Sequence, residues 1–233
     1  METVQAIALM LGASWASGIN LYAAVLMLGW MGATGNADLP PQLQVLSDPM
    51  VMMAAGVMYA VEFFADKTPG VDSAWDTIHT FIRIPAGAIM AAGVAEGMEV
   101  SQAAEFTALL LGGTLAATSH ATKAGSRLLI NTSPEPFTNW TASIAEDLAV
   151  IGGLWAALHY PILFLIALAL FIALVIWMLP KLWRALKRIA RAIKHWFSPR
   201  PTGAPQSDSQ GRPRSRRREL LQELYNDARQ DER

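Results

Sequence analysis

The sequence predicts an all-α fold: a polytopic membrane helix bundle of about six spans, arranged as two inverted three-span repeats with interrupted helices. Three observations lead there. The chain of 233 residues is 53% hydrophobic and only 16% charged, where a soluble domain carries about 25% charged residues. Its charge is segregated. Residues 181–233 hold 14 of the 18 Lys and Arg and 6 of the 19 Asp and Glu, a net +8, which leaves residues 1–180 at −9. That division suits a membrane body with a basic cytoplasmic tail. The third observation is a self-similarity between LGASWASGINLYAAVLMLG at 11–29 and LGGTLAATSHATKAGSRLL at 111–129.

A helix needs about 20 mostly apolar residues to cross the hydrocarbon core. Span 1 is placed at 4–32. It has no basic n-region before it, so it is read as a retained span and not as a cleaved leader. Span 2 follows at 50–65, span 3 within 75–97, span 4 at 103–128, span 5 at 142–159 and span 6 at 161–179. Spans 1–5 are rich in Ala, Gly and Met, which lets helices approach closely. Pro85 leaves two options for residues 73–98. One is a single span capped at Asp72 and kinked at Pro85; the other is a cytoplasmic helix at 73–83 followed by a half-span.

Lys and Arg set the orientation. KLWRALKRIARAIK follows span 6 directly, so that end is cytoplasmic. Counting back through six spans puts the N-terminus in the cytoplasm too. The domain plan is then a bundle at 1–180, with repeat one at 4–98 and repeat two at 103–180. A basic amphipathic helix at 181–197 presents Leu182, Leu186, Ile189 and Ile193 on one face and suits an anionic lipid surface. A mostly disordered cytoplasmic tail occupies 198–233.

In the repeat, Leu11 pairs with Leu111, Gly12 with Gly112, Ser14 with Thr114, Ala16 with Ala116 and Asn20 with His120. Three spans per unit would place the second unit upside down relative to the first, with a binding site where the two meet. SWASGIN and LAATSH hold small and polar residues inside spans 1 and 4, as interrupted helices do. Ser17, Asn20, Ser119 and His120 are therefore the candidates for a midplane site. The alternative is that these side chains only hydrogen-bond one helix to another.

Ionisable residues inside a span cost about 2.5–3.5 kcal/mol each at its centre on insertion scales. They should face a cavity, a partner or the inner interface. His120, Lys123 and Arg127 share one face of span 4, and Glu62 and Asp66 share one of span 2. Glu62, Lys123 and Arg127 join the substrate- or ion-binding candidates. Asp66, Lys67, Asp72, Asp76, His79, Arg83, Glu146 and Asp147 form a supporting charge network. The absence of cysteine excludes disulfides, thiolate metal sites and cysteine nucleophiles. No HExxH, GxSxG or GxxxxGK[ST] occurs, so no catalytic residue, metal or cofactor is assigned and an enzyme is not expected. Nucleic-acid binding is not expected either.

SGINLYAAVLMLG (17–29), EFFADKTPGVDSAWDTIHTFIRIPAGA (62–88) and KAGSRLLINTSPEPFTNW followed by ED (123–147) resemble a bacterial membrane family, domain-of-unknown-function family 4126. The likeness covers about 10–160. It implies an integral inner-membrane protein of bacterial origin and supplies no activity. Two functions stay open. One is a small transporter or permease for an anionic solute or lipid headgroup, with proton coupling. The other is a non-transporting membrane scaffold, with structural charges and a partner-recruiting tail. A homo-oligomer is compatible with both.

Overall fold

The computed structural model describes residues 2–68, 70–131 and 136–197. They form α1 (Thr3–Ala33), a 3-10 helix (Pro41–Ser47), α2 (Pro49–Ala65), α3 (Val71–Glu96), α4 (Gln102–Ile130), α5 (Pro136–His159) and α6 (Pro161–Phe197). No strand occurs among the described residues. Met1–Leu186 make one compact unit and Lys187–Arg233 a second. In the second unit, α6 remains helical to Phe197. The side chains of Leu182, Leu186, Ile189 and Ile193, and the tail at 198–233, lie outside the described residues.

Among the described residues, four helices are long and apolar enough to cross a membrane: Thr3–Ala33, Val71–Glu96, Phe137–His159 and Pro161–Lys181. The 3-10 helix and α2, bent by 65°, make a fifth if counted together. The protein is thus a multi-pass, membrane-type helical bundle. Helix starts follow local chemistry. The Asp48 carboxylate accepts from the Met50 and Val51 amides, with Pro49 at the first helical position. Ser101 caps α4 through the Ala104 amide. α3 starts at Val71, just ahead of the expected Ser73, after Gly70 at φ 86. Asp72 accepts from the Gly70 and Ser73 amides. α3 then runs unbroken through Pro85 for 26 residues, about 39 Å at 1.5 Å per residue. It is one continuous helix long and apolar enough to cross, not a short helix followed by a half-span.

α1 departs most from expectation. Asn20 has φ −147 and ψ 96, and the helix breaks there. Its Oδ1 accepts from the Ala23 amide and so caps the second half. The two halves turn back on each other, and contacts with α5 show it. In the first half, Gln5 donates to Leu158 O and a Cβ on Gly12 would meet Ala157. In the second half, Met27 and Trp30 share a cavity wall with Trp155 and His159. Gln5, Asn36, Leu158 and His159 surround a common space. Both ends of α1 therefore lie at one end of the first unit, here the first face. Asn20 is the vertex of a hairpin that dips into the bundle.

This corrects three expectations. Six spans are not found: among the described residues four helices, or five with the bent pair, are long and apolar enough to cross, α4 is not one of them, and α1, which is, turns back at Asn20. The inverted repeat fails: α4 is unbroken, and the first half of α1 runs in the same direction as α4. Ser14 lies at Gly112, Gly18 at Ala116 and Ser119, and Ile19 at Lys123, each pair about one hundred residues apart. Between α1 and α3 the order is reversed, with Ser14 on Gly87 O, Ser17 on Arg83 O and Tyr22 on His79. Finally, α1 starts at the first face while α6 departs from it, so the ends of the first unit's chain do not share a side.

The apolar core gathers around the hairpin. Leu9, Leu28, Val94, Val150 and Leu154 are fully buried. Trp15 sits edge-on to Phe164 and Phe171 of α6 at 6.2 and 6.1 Å. Other α6 side chains, among them Leu163, Ile166, Leu170 and Ile176, are exposed, as on a lipid-facing helix.

Candidate functional site

Beyond the hairpin vertex, toward the opposite or second face, four helices bring their ionisable side chains together. Arg83 reaches Glu62 at 2.6 Å and Asp76 at 2.9 Å. Lys123 reaches Asp66 at 2.8 Å and Glu62 at 3.2 Å, with Asp76 and Glu146 both at 3.7 Å. Arg127 reaches Glu146 at 2.7 Å and Asp66 at 3.7 Å. Glu62, Arg83 and Arg127 are fully buried. Cation and carboxylate must pair in such a place, because an isolated buried charge is too costly to keep.

The network is tied to the vertex of α1. A half-helix that ends inside the bundle leaves carbonyls without partners and carries partial negative charge at its C-terminus. Lys123 Nζ donates to Ile19 O at 3.1 Å. Asn20 Nδ2 donates to Asp147 Oδ1 at 2.9 Å, and the Tyr59 hydroxyl donates to Asp147 Oδ2 at 3.1 Å. Tyr59 is also part of the wall of a cavity of about 490 Å³ with Met27, Trp30, Ile151, Trp155 and His159. One hydrogen bond thus links the cavity wall to Asp147.

The expected midplane site is divided. Asn20 belongs with Tyr59 and Asp147. His120 lies on the other side of the vertex, with Nε2 2.7 Å from Thr80 Oγ1 and Nδ1 3.2 Å from Arg83. Ser17 and Ser119 join helices by donating to Arg83 O and Trp15 O. Glu62, Lys123 and Arg127 do come together, as do Asp66, Asp76, Arg83 and Glu146 of the supporting network. His79 stands apart, between the Tyr22 hydroxyl, Trp75 O and the stacked Trp75 ring. Asp72 binds Asn131 at the second face. Lys67, in the turn after α2, donates to Ser143 Oγ and lies over the Phe63 ring. Burial pushes the Lys67 ammonium below its ordinary value.

Sequence reasoning missed Tyr59, Tyr22, Thr80 and Asn139. Tyr59 lies three residues before Glu62, on the same face of α2, and that spacing was its one available signal. Asn139 O accepts from Arg127, and Asn139 Nδ2 donates to Asn131. Among the described residues, no group of His, Asp or Glu has the arrangement a metal ion requires.

A family model described as "Domain of unknown function (DUF4126)" matches residues 7–181. The chain belongs to the DUF4126 family. No curated protein and no solved structure matches it. The DUF4126 match takes in the hairpin vertex, every residue of the ion network and the cavity.

Proposed function

We propose that this DUF4126 protein is a small multi-pass transporter of the bacterial inner membrane, without enzymatic activity, that couples solute movement to protons. The observation that carries the reading is the hairpin vertex. Asn20 holds Asp147 between a cavity reached from the first face and an ion network that continues to the second. Broken helices with exposed termini inside a bundle are how transporters build binding sites. The network also holds surplus acid: Glu62, Asp66, Asp76, Glu146 and Asp147 against Arg83, Lys123 and Arg127. One oxygen each of Glu62, Asp66 and Asp76 is buried without a hydrogen-bond partner, which is where a proton would be carried. An anionic solute has less support, because every cation of the network is already held by carboxylates.

The second face is cytoplasmic in this reading. Lys67, Lys123 and Arg127 lie toward it, and α6 runs that way into its Lys/Arg-rich end. The first-face connections at 34–48, 97–101 and 159–161 contain neither Lys nor Arg. The N-terminus then faces away from the cytoplasm.

The scaffold reading keeps one supporting observation, that all three network cations are directly paired. Proteoliposomes enclosing a pH-sensitive dye separate the two. The transporter shifts internal pH when a member of a solute panel is added, and Asp147→Asn abolishes the shift while leaving the melting temperature near that of the wild type. No solute-dependent shift across the panel, with Asp147→Asn markedly less stable, establishes the scaffold.

A further inference from the structure

Resting on the transporter reading, we propose that the cavity between the second half of α1, α2 and α5 takes a lipophilic organic cation, with Asp147 as its counter-charge. Asp147 is 7% exposed, and both its oxygens accept from neutral donors, Asn20 Nδ2 and the Tyr59 hydroxyl. Hydrogen bonds replace hydration but do not neutralise a charge, and a carboxylate in a low-dielectric interior needs a cation or a proton. Unlike the four other acids of the network, Asp147 forms no ion pair among the described residues. The charged and titratable groups around it are Glu62, Asp66 and Tyr59 of α2, Lys67 in the following turn, Lys123 of α4 and Glu146 beside it. Asp66 adds negative potential there, and Lys123 and Lys67 oppose it.

The cavity walls fit the remainder of such a ligand. Trp30, Tyr59 and Trp155 present aromatic rings among Met27 and Ile151, and aromatic rings attract cations. A volume of about 490 Å³ lies within the range of small-molecule sites, roughly 300–1,000 Å³. Ile151, one turn beyond Asp147 on α5, forms part of the wall, so a ligand resting there is one helical turn from the carboxylate. The charge balance is an exchange. With the cavity empty, Asp147 holds a proton. When the cation enters, the proton leaves to water and the carboxylate keeps the cation, with no change in net charge.

The test is equilibrium binding of radiolabelled tetraphenylphosphonium to the purified full-length protein in detergent. Binding is expected to be more than tenfold tighter at pH 8 than at pH 5, with about one proton released per cation bound. Asp147→Asn, checked for folding by its melting temperature, should lose both the affinity and the pH dependence. Trp30→Leu should weaken binding about three- to tenfold, the size of a cation–aromatic contact. Ile151→Phe, which fills the cavity and leaves the carboxylate in place, should abolish it. His159→Gln should leave the pH dependence intact, which assigns it to Asp147. Tetraphenylborate, of like shape and opposite charge, should not bind. Equal binding of the cation to wild type and Asp147→Asn, an unaffected Ile151→Phe, or no binding at all overturns the proposal. Binding without flux in proteoliposomes overturns transport and retains the site. Proton-coupled flux of another solute without cation binding overturns this inference alone.

Discussion

Lys123 Nζ lies 3.1 Å from Ile19 O and 2.8 Å from Asp66 Oδ2. One ammonium group therefore closes the broken end of α1 and balances the acids of α2. The hairpin and the ion network are a single structure, and disturbing either should be felt in the other.

Arg83 is the first place to see this. It separates Glu62 from Asp76 at the centre of the bundle. Arg83→Met leaves both carboxylates short of a cation, a change that costs about 3–5 kcal/mol in buried pairs. Thermal unfolding in detergent should show a large fall in melting temperature. A variant melting within a degree or two of wild type would refute the buried network.

Gly18 tests the approach of α1 to α4. A Cβ there would land on Ser119 Oγ and on the Ala116 carbonyl. Gly18→Ala should destabilise by about 1–3 kcal/mol, as overpacking does. Adding Ser119→Ala should not restore stability, because the backbone carbonyl remains. Gly56 of α2 meets nothing within 4 Å. Gly56→Ala should be neutral or stabilising by up to about 1 kcal/mol, the helix propensity difference, and serves as the matched control in the same melting assay.

The hairpin makes a topological prediction that needs no stability measurement. The chain has no cysteine, so single cysteines can be introduced without background. Asn36→Cys, Glu99→Cys and Tyr160→Cys should react with an impermeant thiol reagent from one side of a sealed vesicle, and Thr68→Cys from the other. Glu2→Cys should label with Asn36→Cys. Labelling of Glu2→Cys and Asn36→Cys from opposite sides rules out the fold-back of α1.

Asn20→Asp places a second carboxylate where the Asn20 amide now donates to Asp147 at 2.9 Å. Two carboxylates at that distance cannot both ionise without penalty. The stability deficit relative to wild type should grow toward alkaline pH, as the pair loses its remaining protons and both become charged. It should shrink as acid protonates one of them. Melting curves of both proteins from pH 8 to pH 5 check the sign; a deficit that grows toward acid contradicts it.

The positions of the helices were legible in the sequence, because apolar length and the flanking Pro, Asp and Ser residues mark them locally. The members of the ion network were legible too, since charge inside an apolar segment demands a reason. The reversal at Asn20 was only half visible. SWASGIN announced an interruption, but the residues that turn an interruption into a hairpin are Ser119, Lys123 and Asp147, some 99 to 127 positions beyond Asn20. Periodicity carries no information about such pairings. The likeness of 11–29 to 111–129 misled for a related reason: both segments are small-residue helices that pack against α3 and against each other, so both are selected for Gly, Ala and Ser at the same spacing. Tyr59 was overlooked because an aromatic residue in an apolar helix looks like core until its hydroxyl finds Asp147.

The doubled-back α1 also bears on biosynthesis. Its 31 residues, mostly apolar, leave the ribosome ahead of α2–α6 and are long enough to settle across a bilayer by themselves. The groups that hold the vertex, on α4 and α5, are synthesised about a hundred residues later. A young chain must therefore either keep α1 waiting at the interface or withdraw it from a crossing already made, so α1 takes its final place only after α5 has followed it.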